Sequence, residues 1–170
     1  MRASDPLNRP LWVLRRGLEA VVVVLMVALA VVVLMGIGFR KAGAALVWYD
    51  EVASILLAWL TYYGAALATV HRAHIGVPTL VERLGGVWRT VTILAAEAVV
   101  IGFFLVLAWA GWQVQAVLAG TSLVSLPSVP AALAQSVIPI GAVLCIVAQL
   151  LSLPRVLHAG PHGVPAEEDA

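Results

Sequence analysis

Apolar residues fill this chain in four long stretches separated by short polar breaks. Residues 20–39, 52–70 and 131–153 carry no charge, and residues 90–118 carry a single acid, Glu97. A helix rising ~1.5 Å per residue needs about 20 apolar residues to cross a hydrocarbon core ~30 Å thick. A helix also satisfies its own backbone N–H and C=O groups, which lipid cannot do. The pattern therefore predicts an all-α integral membrane protein with four transmembrane helices, over about 20–39, 52–70, 93–117 and 131–153. These form a single membrane domain over residues 1–157, with a disordered Gly/Pro-rich tail at 158–170. Arg15 and Arg16 before the first stretch give it the look of a secretory signal. Its apolar part exceeds the ~7–15 residues of a signal core, so it is expected to stay as an anchor.

Two shorter periodicities lie beside the spans. Val77, Leu80, Val81 and Leu84 follow the i, i+3, i+4, i+7 spacing of one helix face, with Thr79, Glu82 and Arg83 opposite. Pro78 suits a first helical turn and Gly85-Gly86 a stop. At ~12 Å this segment is too short to span, so a short amphipathic interfacial helix is expected between helices 2 and 3. Leu11, Leu14 and Leu18 make a similar stripe ahead of helix 1, with Arg15 and Glu19 one turn apart, and predict a second interfacial helix there.

Composition agrees with burial in lipid. The chain is 62% hydrophobic and 11% charged, against about a quarter charged in an ordinary soluble domain. A net charge of +1 provides no basic field for nucleic acid. Cys145, the single cysteine, excludes an internal disulfide. Lys and Arg set the orientation. Eight (Arg2, Arg9, Arg15, Arg16, Arg72, Arg83, Arg89 and Arg155) fall on one side, and two (Arg40 and Lys41) on the other. Both termini are thus expected in the cytoplasm.

Candidate chemistry is sparse. "HRAHIGV" at residues 71–77 gathers His71, Arg72 and His74 at the exit of helix 2. A zinc site needs three or four ligands, and no cysteine or carboxylate lies near in sequence, so the favoured reading is an interfacial turn. Asp50 and Glu51 stand at the start of helix 2, where the dipole favours anions, and Arg40 and Lys41 share that loop as possible partners. Glu97 is the one acid within a span, which makes it a functional suspect. If residues 98–118 alone span, it sits at the cytoplasmic interface. No phosphate loop, catalytic triad or carboxylate pair occurs. No enzyme activity, cofactor or metal is expected.

The order of these features resembles the small membrane subunit of tripartite ATP-independent periplasmic (TRAP) transporters, the DctQ-like family, over most of residues 10–155. The richest part is "WYDEVASILLAWLTYYGAALATVHRAHIGVPTLVERL" at residues 48–84. There Trp48, Asp50, Glu51, Trp59, Gly64, His74, Ile75 and Val77 occupy the family's places. "TSLVSLP" and "IPIG" resemble its third connection and fourth helix. Ser54 stands where the family commonly has Arg, and Pro78 where Asp is usual. The resemblance implies an accessory scaffold subunit that pairs with a large membrane subunit. That large subunit would carry out sodium-gradient-driven uptake of organic acids delivered by a periplasmic binding protein. The alternatives are a stand-alone proton-coupled exporter using Glu97 and a haem-binding membrane subunit using the histidines.

Helix 2 carries two seams. Ser54, Ala58, Thr61, Ala65 and Ala68, with Gly64 beside them, form a small-residue seam of the kind that lets helices approach closely in lipid. Ile55, Trp59, Tyr62, Ala66 and Thr69 form an aromatic seam. The small seam is expected to pack within the subunit. The aromatic seam, with Trp48 and Glu51, is expected to meet the partner.

The orientation is checked with Cys145 removed and single cysteines at Ala45, Thr79 and Ser128. A membrane-impermeant thiol reagent on intact cells should label positions 45 and 128 and spare 79. Labelling at 79 reverses the orientation.

Overall fold

The computed structural model describes residues 9–71 and 86–158. Arg72, His74 and Pro78, the amphipathic segment at 77–84 and the tail from 159 lie outside the described residues. The rest is helical: α1 Arg9–Lys41, α2 Tyr49–Val70, α3 Gly86–Val117, a short α4 Ala131–Gln135 and α5 Val137–His158. Four helical stretches are long and apolar enough to cross a membrane, α4 and the following part of α5 counting as one. Among the described residues there is no strand, only an isolated bridge between Ser122 and Pro130.

The stripe of Leu11, Leu14 and Leu18 does not form a helix of its own. α1 runs unbroken for 33 residues, because its first half holds only one poor helix former past Pro10, Gly17, and a single glycine is tolerated. Leu11 and Leu18 are buried, in one cluster with Ala66, Val70, Cys145 and Ala148. The stripe therefore serves the core. Gly86, expected as a helix stop, instead opens α3.

The fourth span breaks at Ser136 rather than at Pro139. Proline has no N–H to give the Gln135 carbonyl, and it disfavours helical geometry in the residue before it. Placing Pro139 in the first turn of a new helix removes the first problem, since the first N–H groups of a helix have no partner inside it. Ser136 makes the turn, its hydroxyl donating to the Leu133 carbonyl at 2.7 Å.

The helices pack as a row: α1 along α2, α2 along α5, and α5 along α3, with α1 touching α5 only briefly and making no extensive contact with α3. α5 is the most buried of the spans. α2 and α5 run parallel, for Trp59 midway along α2 meets Ala134 just ahead of α5, and Ala66 and Val70 share a cluster with Cys145 and Ala148 further along both. The two helices approach closely at Gly141. A Cβ there would lie 2.9 Å from the Tyr62 Cβ, so the ring sits directly on the α5 backbone. α3 closes on α5 in the same way at Gly111, where a Cβ would lie 2.9 Å from both Ile138 and Pro139.

Gly141→Ala should lower stability by about 1–3 kcal/mol through overpacking. Gly102→Ala is the control, because a Cβ there meets nothing and helix propensity favours Ala by up to ~1 kcal/mol. Thermal midpoints in one detergent should fall for the first and hold or rise for the second. Equal midpoints would remove the close approach from the account.

Candidate functional site

Polar side chains gather at the two ends of the row, with the aromatic seam between. At the end that holds residues 40–50, Arg40 lies 4.0 Å from Asp50. Its guanidinium also donates to the Tyr49 hydroxyl and stands 5.3 Å from that ring's centroid. Glu51 does not join this group. Its carboxylate accepts the backbone N–H of Val124 at 3.1 Å and of Ser125 at 2.7 Å. Those amides belong to a tight hairpin in the third connection, closed by Leu123 N–H to Val129 O at 3.0 Å and Ala131 N–H to Thr121 O at 2.9 Å. Gly120, at φ +90°, allows the sharp entry. Glu51 is thus a latch from the start of α2 to the connection between α3 and α4. Trp48 caps α2 through its carbonyl, which accepts from Val52 at 3.1 Å.

In the middle, the two seams of α2 face opposite to expectation. Trp59 donates its indole N–H to the Ala134 carbonyl at 3.0 Å, an acceptor next to the α4–α5 break. Tyr62 covers Gly141, Ala66 is fully buried, and Thr69 is 1% exposed. The aromatic seam is therefore spent inside the subunit, against α4 and α5. Ile55 is half-buried. Ser54 and Thr61 of the small seam are exposed, with Leu57 on the same face, and Ala58, Ala65 and Ala68 are half-buried. The two hydroxyls donate to their own helix, to the Asp50 and Leu57 carbonyls, each at 2.8 Å. A Cβ on Gly64 would meet nothing within 4 Å, so no helix approaches closely there. The physical reason is that α5 supplies its own small row (Gly141, Cys145, Ala148 and Ser152, spaced four, three, four), which takes the Tyr62 ring at Gly141 and lies against Ala66 and Thr69 further along. The signal for that row in the sequence is "IGAVLCIVAQLLS" at residues 140–152.

At the opposite end, Glu97 is buried and accepts from the Gln149 side chain at 2.5 Å, joining α3 to α5. Ser152 and Thr69, also buried, donate to carbonyls of their own helices, Gln149 at 3.0 Å and Ala65 at 2.9 Å. Nearby in the fold, Arg15 pairs with Glu19 at 2.7 Å, and His71 Nε2 lies 3.7 Å from the same carboxylate. His71 thus bridges the exit of α2 to α1. Among the described residues, no group of three or more His, Cys, Asp or Glu is placed to hold a metal ion. What the arrangement does chemically is fasten helices to one another.

Comparison with known proteins matches the chain over residues 29–158 to the family described as "Tripartite ATP-independent periplasmic transporters, DctQ component". No curated protein matches it.

The latch has a local readout. Glu51→Ala should speed hydrogen exchange at the Val124 and Ser125 amides, with Glu51→Gln between it and the native chain, since one amide oxygen replaces two carboxylate oxygens. Asp50→Asn, which touches neither amide, should leave both rates unchanged. Unaltered exchange in Glu51→Ala would dismiss the latch.

Proposed function

The chain belongs to the DctQ component family of tripartite ATP-independent periplasmic transporters, and we propose that it serves such a transporter as a scaffold that binds no substrate itself. On this reading it pairs with the large membrane subunit in the bacterial inner membrane, with both termini in the cytoplasm. The large subunit moves an organic acid, handed over by a periplasmic binding protein, and the sodium gradient drives the movement. This chain holds a fixed, broad shape beside it.

The observation that carries the reading is the use made of the buried polar side chains. Glu97 and Gln149 bond to each other across two helices, and Thr69 and Ser152 bond within their own. A transport site needs polar groups converging on a space a solute can enter. Glu97 and Gln149 instead hold two helices together, as a static support requires, and Thr69 and Ser152 bond to backbone carbonyls. The open row supports the same reading, because both outer helices keep long apolar faces, such as Val24, Val31 and Leu34 on α1 and Val99, Val106 and Trp112 on α3.

Liposomes test it. The chain alone should give no flux of organic acids. Uptake should appear when the large subunit and the binding protein are added, and should need a sodium gradient but no ATP. Saturable, gradient-driven flux by the chain alone would overturn the proposal. If Glu97→Gln abolished that flux, the exporter alternative would take its place.

A further inference from the structure

The inner end of α1 carries a basic side chain that the fold does not use. Arg15 and Arg16 both lie near Glu19, but they are not equivalent. Arg15 holds the carboxylate at 2.7 Å. Arg16 reaches it only at 3.9 Å and keeps 69% of its side chain exposed. Its guanidinium stands 5.8 Å from the centroid of the Trp12 ring, one turn earlier on the same face. Trp12 is itself 56% exposed. A guanidinium steadied by a ring face keeps its N–H donors for an acceptor.

The position of the pair along α1 identifies that acceptor. The same outward face continues through Val23, Val24, Val27, Val31 and Leu34, all at least half exposed. Such a face in a membrane helix is covered by hydrocarbon. Arg16 and Arg40 bracket it, 24 residues apart in the numbering, which at ~1.5 Å per residue sets them ~36 Å apart along the helix. A bilayer measures ~40–45 Å with its headgroups, so each arginine falls in a headgroup layer. Arg40 is engaged there by Asp50 and Tyr49. Arg16 faces outward. Its end of the chain is the arginine-rich one, which the charge rule places on the cytoplasmic side, where anionic lipid gives the surface a negative potential.

We propose that Trp12 and Arg16 form a binding site for the phosphate of an anionic lipid in the inner leaflet, with Arg16 as the ligand and Trp12 as its platform. The acyl chains would lie along the valine face above it. Arg15 and Glu19 complete the site indirectly, because their close pairing leaves Arg16 only a long 3.9 Å contact with the acid.

The full chain, purified in a neutral detergent, tests this by its thermal midpoint during titration with phosphatidylglycerol, phosphatidylcholine or inorganic phosphate. Phosphatidylglycerol should raise the midpoint saturably, and the other two should not. Arg16→Gln should weaken the apparent affinity about fivefold, the share of one basic residue at an anionic surface. Trp12→Ala should weaken it too, and Arg40→Gln should leave it unchanged. The proposal fails if phosphatidylcholine stabilises equally, if inorganic phosphate substitutes for the lipid, or if Arg16→Gln and Trp12→Ala both keep the native preference.

Discussion

The close contact between α2 and α5 is the constraint on which the other helices depend. In lipid, helices gain nothing from burying apolar surface against each other, so they associate through tight van der Waals packing and interhelical hydrogen bonds. α5 offers a row with little side chain, at Gly141, Cys145 and Ala148. α2 fills it with Tyr62 and Ala66 and adds the Trp59 bond to the Ala134 carbonyl. The two helices run parallel, so no short loop can join them. α3 has to return the chain to the starting end, and its packing against α5 at Gly111 fixes it on the far flank. α1 then takes the free flank of α2. The row follows from one well-packed pair.

The charged groups mark the length of that pair. α2 has 22 residues and so rises ~33 Å, about one bilayer core. Arg40, Asp50 and Glu51 sit at one end of it, and Glu19 and His71 at the other. Gln149 lies one turn past Cys145, whose thiol meets Thr69 near the end of α2. Its partner Glu97 is therefore level with the end of α2 rather than its middle. From Glu97 to Val117 α3 rises ~30 Å, which again matches the core. The remaining first turns of α3, like those of α1 around Leu11, extend past that level. A buried carboxylate bonded to an amide joins α3 to α5 at this level.

The spans were legible because length and apolar content are properties of single segments. The Arg15–Glu19 pair and the Arg40–Asp50 pairing were legible too, since sequence neighbours and one short loop bring them together. What could not be read was which face of α2 meets which helix. Two seams with identical spacing ran along it, and a single-helix argument ranks the small one as the packing face. The decisive information was on α5, whose small row admits the Tyr62 ring at Gly141. Glu51 illustrates the same limit. Its donors are backbone amides 73 and 74 residues away, which no side-chain pattern announces. The break at Ser136 was half visible, because Pro139 required one but did not fix its place.

The reversal of the seams changes what the outer surface of α2 can do. Ser54 and Thr61 face outward, and their hydroxyls are satisfied by their own helix, so this face can rest in lipid or against another helix at no hydrogen-bonding cost. The family resemblance puts an arginine at the place of Ser54. An arginine on that exposed face would carry its charge away from this subunit, toward lipid headgroups or a neighbouring chain. With serine the face is neutral along its length from Ser54 to Ala68. Any helix that docks there meets small side chains and no fixed charge. Specificity across it must then come from shape, since small residues allow close approach only to a surface that fits.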